Sequence, residues 1–194
     1  RLADIGLLEA ALAPTHEAVE VYQRLATNNP DAFQPFIATS QNNVANRLSA
    51  LGRHAEALAA MRDTVAVRRR LAAHSPERFR PYLAGSLHNL GNMLQRSGAI
   101  REALVSAREA TTIYRDLASD APTTHEPELA GALNSLAVMH WLSKDAASAL
   151  ATALEATTLF RAANRRQPNA FLADLAMAAN TYGTMLAQNG DPQA

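Results

Sequence analysis

Six histidines, His16, His54, His74, His88, His125 and His140, are the side chains best suited to hold a metal or move a proton. None of them forms the His-Glu-x-x-His pair that puts two imidazoles on one helix face. The chain has no cysteine, so thiolate metal sites, thiol catalysis and disulfides are excluded. No metal site and no cofactor are expected. The serines lack a nucleophile elbow, and no glycine-rich loop could cradle a phosphate. Carboxylates such as Glu56, Glu102, Glu109 and Glu155 occur singly and suit solvated helix surfaces. Nothing positive supports an enzyme, so none is expected.

Composition narrows the partners. The chain of 194 residues has 18 basic and 18 acidic residues and a formal net charge of zero. Sequence-independent phosphate binding needs a basic surplus, so nucleic acid is not an expected partner. No apolar run approaches the roughly 20 residues of a membrane-spanning helix, and no charged-then-apolar leader opens the chain. The expected compartment is the cytoplasm. Lys144 is the only lysine against many arginines, a bias that fits a GC-rich, actinomycete-like bacterial genome.

The organisation follows from a proline that returns every 46 residues, at Pro30, Pro76, Pro122 and Pro168. Pro35, Pro81 and Pro127 keep the same step, as do Phe33, Phe79 and Phe171. Fixed-period self-similarity marks a repeat array, whose units bury their apolar faces only against one another. Gly52 and Gly98 recur as Lys144 and Gly190, with Gly6 one step earlier. Each follows an apolar-periodic stretch, where a helix end favours a residue tolerant of positive φ. Glu56-Ala57-Leu58, Glu102-Ala103-Leu104 and Ser148-Ala149-Leu150 come next and open a long helix. Leu58, Met61, Val65 and Ala72 match Leu104, Ala107, Thr111 and Ala118 at helical spacing.

The residue before a proline avoids the helical region. Asn29-Pro30, Ser75-Pro76 and Ala121-Pro122 therefore read as turns, and Pro35, Pro81 and Pro127 as first residues of new helices. The pattern predicts a helix tail at 1–5, then helices near 8–27, 35–50, 54–73, 81–96, 100–119, 127–142, 146–166 and 171–188. No strand is expected. Units fall at about 1–30, 31–76, 77–122, 123–168 and a partial 169–194. All belong to a single repeat domain, expected to be a fragment of a longer array.

Small residues at fixed places carry a family resemblance. A bulky apolar residue precedes a small one in Val44-Ala45, Leu90-Gly91, Leu136-Ala137 and Tyr182-Gly183. Ala11, Ala57, Ala103 and Ala149 come early in the second helix. Ala18, Ala110 and Ala156 come further along, with Thr64 departing. Small side chains let helix axes approach to about 8–10 Å. The chain resembles a tetratricopeptide repeat array of the long-helix, kinesin-light-chain-like type, found also in bacterial regulatory proteins. The usual unit is about 34 residues; the extra length here is expected in the second helix and a proline-containing connector. The resemblance implies an all-α, right-handed α-solenoid of about four helix hairpins.

It also implies a concave face lined by first helices. Its contact positions transfer to three rows: Asn42, His88, Asn134 and Asn180; Asn43, Asn89, Ser135 and Thr181; Asn46, Asn92, Val138 and Thr184. A primary amide both donates and accepts, so asparagine rows suit the backbone of an extended peptide, as in kinesin-light-chain-like grooves. The same amides could instead bridge neighbouring units. His88 stands in for an amide or makes the groove pH-sensitive. Trp141 is either an exposed anchor or a packed residue that has exchanged roles with His140. The basic run Arg68-Arg69-Arg70, with Arg78 and Arg80, reads as a solvated convex face. A carboxylate clamp is not expected, because His88 is the only basic candidate in the rows.

The expected function is a peptide- or protein-binding scaffold. One alternative is the sensor or regulatory array of a larger bacterial signalling or protease-fused protein. Another is end-to-end self-association through its ends.

Overall fold

The computed structural model describes residues 2–190, with side chains for 6, 7 and 9–190. The described residues form eight helices and no strand: α1 Leu2–Ala26, α2 Pro30–Ala50, α3 His54–His74, α4 Pro76–Arg96, α5 Ile100–Asp120, α6 Pro122–Leu142, α7 Ala146–Arg166 and α8 Leu172–Asn189. Residues 1–97 and 98–194 form two compact units. In the first, α1 packs on α2, α2 on α3, α3 on α4, and α2 also touches α4. In the second, α5 packs on α6, α6 on α7, α7 on α8, and α6 touches α8. Each unit is a succession of helix hairpins.

The step of 46 residues has a simple physical origin. Helices α2 to α7 are each 21 residues long. The extra length over a short repeat is therefore shared by both helices of a hairpin. Within a hairpin the helices are joined at 51–53 and 143–145 by the same reversal. Gly52 and Lys144 take the left-handed conformation at φ 78° and 65°. The Arg53 N–H then reaches back to the Leu48 carbonyl, and that of Asp145 to His140, at 2.9 and 3.0 Å. These are Schellman closures, which satisfy carbonyls left over at a helix end. Between hairpins one residue suffices. Ser75 ends α3 and starts α4 at φ −142°, ψ 78°, and Ala121 does the same for α5 and α6 at φ −138°, ψ 75°. The following proline imposes that extended conformation.

Three expectations are corrected. The first proline ladder, not the second, opens the helices: Pro30, Pro76 and Pro122 are their first residues, and Pro35, Pro81 and Pro127 lie inside. Proline at the first position loses no hydrogen bond. One turn later it frees a single carbonyl near the helix start, so the helix continues. At Ser75 and Ala121 the connector is accordingly one residue. The N-terminal break does not exist either: α1 runs through Gly6 and Pro14 as one helix, and only Arg1 of the expected tail lies outside the described residues. α8 opens within one residue of the expected 171, later than the step of 46 would put it. Pro168 stays outside, Asn169 takes φ 70°, and the helix opens at Leu172.

Alanine closes the packing. Ala45, Ala57 and Ala84 in the first unit and Ala103, Ala137 and Ala149 in the second are fully buried. These include the early second-helix alanines of three hairpins. Thr64, at the departing small position, is also fully buried, and its hydroxyl donates to the Ala60 carbonyl at 2.8 Å.

Candidate functional site

In the first unit the three rows separate by depth. Asn42 on α2 turns inward. Its Oδ1 accepts from Ser86 Oγ of α4 at 3.0 Å and lies 3.4 Å from Arg68 Nη1 of α3. Asn42 thus bridges three helices. Arg68 Nη1 also donates to Ser86 Oγ at 2.5 Å and to the Tyr82 carbonyl at 2.8 Å. Arg68 is buried, contrary to the solvated face expected for the basic run. His88 on α4 is half-buried, and burial holds its imidazole below the ordinary range.

The other two rows lie nearer the surface. Asn43 and Asn46 are exposed on α2, and Asn89 and Asn92 are half-buried on α4. Asn46, Asn89 and Asn92 meet around a hollow of about 170 Å³, completed by Ser49, Ala50, Met93 and Arg96. Ser49 and Arg96 were not among the row positions. Their signal was helical spacing, since Ser49 is one turn beyond Asn46 and Arg96 one turn beyond Asn92.

The second unit arranges the equivalent positions differently. Asn134 on α6 is buried, and its Oδ1 has no hydrogen-bond partner. Ser135 is half-buried. Val138 and Trp141 pack against Ala137, Ala149, Ala153 and Met185. His140 stays buried at the place of Leu48 and Leu94, with Nδ1 3.2 Å from Asp145 Oδ2. Trp141 and His140 have therefore not exchanged roles; both pack, the indole only in part. Burial and the nearby Arg108 lower the His140 pKa, against an opposing pull from Asp145. Asn180 is exposed on α8, and Thr181 returns its hydroxyl to the Met177 carbonyl at 3.0 Å.

Among the described residues no three His, Asp or Glu side chains converge as metal ligands, and no helix is long and apolar enough to cross a membrane. What the geometry offers is amide donors and acceptors on adjacent first helices. Comparison with known sequences agrees with that architecture. The tetratricopeptide repeat family matches residues 37–77 and 83–121.

Those two stretches match as tetratricopeptide repeats.

Solved structures extend the likeness over nearly the whole chain. BtubC (BKLC) from P. vanneervenii is 16% identical with a TM-score of 0.65, covering 96% of this chain and 85% of that one. The nearly identical TPR-like repeats of a Podosopora anserina kinesin light chain candidate are 17% identical in two structures, with TM-scores of 0.64 and 0.62. Each match covers 98% of this chain and 87% of that one. At such identity these neighbours speak for the fold alone. No curated protein matches the sequence. Tetratricopeptide repeats generally mediate protein–protein interaction and are typically not enzymes.

Proposed function

We propose that the chain binds an extended peptide segment of a partner protein along α2 and α4, through Asn43, Asn46, Asn89 and Asn92. The observation that carries this reading is the hollow where Asn46, Asn89 and Asn92 converge with Arg96. Asparagine is a mediocre helix former, yet these positions hold it mid-helix with side chains toward the surface. Each amide could exchange a hydrogen bond with a peptide backbone group for about 1 kcal/mol net. Arg96 is the one charged residue lining the hollow, so affinity should be modest and only weakly salt-dependent. Asn42 serves this reading as a brace, and Asn134 as a buried residue, rather than as ligand contacts.

The test begins with peptides selected from a displayed random library on the immobilised chain. Asn43→Ala with Asn89→Ala should weaken the selected peptides several-fold and leave the melting temperature nearly unchanged. A large loss of melting temperature with unchanged binding would assign these amides to bridging.

A second reading, self-association, rests on Leu186. Its counterparts Leu48 and Leu94 are 4% and 2% exposed, whereas Leu186 is 46% exposed on α8, on the same helix face as exposed Leu172. A second copy of the chain covering this apolar face would give a mass that falls on dilution and in Leu186→Ser.

A further inference from the structure

A cavity of about 260 Å³ lies between α2, α3 and α4, walled by Phe36, Leu71, Phe79 and Tyr82 and by the guanidinium groups of Arg68 and Arg78. The repeat supplies its own control. Two steps along the chain, Ala38, Arg68 and Ser86 become Ala130, Phe160 and Ala178. Those three form one buried cluster, with Phe171, the counterpart of Phe79, packed against it. Position 68 is aromatic in every other unit, as Tyr22, Tyr114 and Phe160. Arg68 instead sends its guanidinium to Ser86 and the Tyr82 carbonyl. Where Phe160 packs against Ala178, Arg68 reaches Ser86, and the cavity opens beside it against Phe36, Phe79 and Tyr82.

The walls of that space also gain charge. Arg78 has no basic counterpart, the equivalents being Ala32, Thr124 and Ala170. Arg78 is exposed, lies over the Phe79 ring at 5.0 Å and makes no ion pair among the described residues. A phenyl-sized apolar void beside two guanidinium groups fits one chemical class. We propose that this cavity binds a small arylalkyl carboxylate, with the ring against Phe36, Phe79 and Tyr82 and the carboxylate facing Arg78 and Arg68. Guanidinium–carboxylate hydrogen bonds are charge-assisted and can be bidentate. The cavity shares no lining residue with the asparagine hollow, so this site and the peptide surface stand or fall separately.

Phenylacetate, phenylacetamide and acetate serve as probes in calorimetric and ligand-observed NMR titrations of the intact chain. Phenylacetate should saturate one site. The neutral amide should bind at least about tenfold more weakly, the loss of one charge-assisted contact, and acetate should not saturate. Arg78→Gln, a surface change, should weaken phenylacetate by a similar factor at unchanged melting temperature. Arg68→Phe with Ser86→Ala removes one of the two guanidinium groups and should weaken phenylacetate at least as much as Arg78→Gln does. Equal affinity for acid and amide, unaltered binding by either variant, or no saturation by phenylacetate would each overturn the proposal. Should the double variant not fold, Arg78→Gln and the amide comparison still decide.

Discussion

Asn42 and Asn134 stand two steps apart at the same repeat position, yet Asn42 Oδ1 has hydrogen-bond donors and Asn134 Oδ1 has none. The cause lies in their neighbours. Arg68 and Ser86 supply the donors to Asn42, and their counterparts Phe160 and Ala178 are apolar. One amide is part of a polar network, and the other is a buried polar group facing an apolar wall.

Opposite mutational signs follow. Asn42→Leu strips an acceptor from Ser86 and Arg68, and a broken buried contact of this kind costs about 1–3 kcal/mol. Asn134→Leu removes an unsatisfied oxygen with little change of volume and should be neutral or stabilising by about 1 kcal/mol. Urea denaturation of both variants measures the difference. Equal destabilisation by both would remove the distinction.

Much of this architecture was legible beforehand because the repeat made it redundant. Gly52, Gly98 and Lys144 marked the hairpin turns, and the residue before each first-ladder proline marked the unit boundaries. The second ladder misled, because proline is compatible both with a helix start and with its second turn. Only the extended backbone at Ser75 and Ala121 decides between them. Arg68 was hidden for a different reason. Arginine is seldom fully buried, and its place beside Tyr22, Tyr114 and Phe160 becomes telling only when the step is applied to that column. The asparagine rows were readable as rows. Their depths were not, since depth depends on which partner each neighbouring helix contributes.

Lys144 gives a stability prediction. It holds the left-handed conformation at φ 65°, where Gly52 and Gly98 stand at 78° and 83°. A side chain there costs roughly 1–2 kcal/mol in local backbone energy, partly offset because glycine would give up more chain entropy on folding. Lys144→Gly should therefore stabilise by about 0.5–1 kcal/mol, seen as a higher urea midpoint at constant slope. A lower midpoint would mean that the lysine side chain contributes something the turn geometry does not reveal.

Acid should loosen the fold through His88 and His140. Burial depresses both from the ordinary imidazole value of 6.5. The unfolded chain then binds these protons more readily, so stability is fully present above about pH 6.5 and declines as pH falls through and below that value. His88→Asn with His140→Leu, borrowing residues from equivalent positions, should flatten the stability profile between about pH 7 and pH 5. An unchanged slope would place the acid sensitivity elsewhere.

Trp141 is the only tryptophan, so its fluorescence reports on one place. The half-buried indole packs against Ala137, Ala149, Ala153 and Met185, which joins α6, α7 and α8. Full truncation of a buried aromatic costs about 3–5 kcal/mol. A half-buried ring should cost less, about 2 kcal/mol for Trp141→Ala, because part of its area already meets water. Trp141→Phe keeps most of the apolar contact and should lose under about 1 kcal/mol. If selected peptides also reach this ring, their addition should shift the emission of the wild-type chain to shorter wavelength, and Trp141→Phe should bind them more weakly at nearly unchanged stability. A packed ring that no peptide touches would show the stability loss in Trp141→Ala without any emission change on titration.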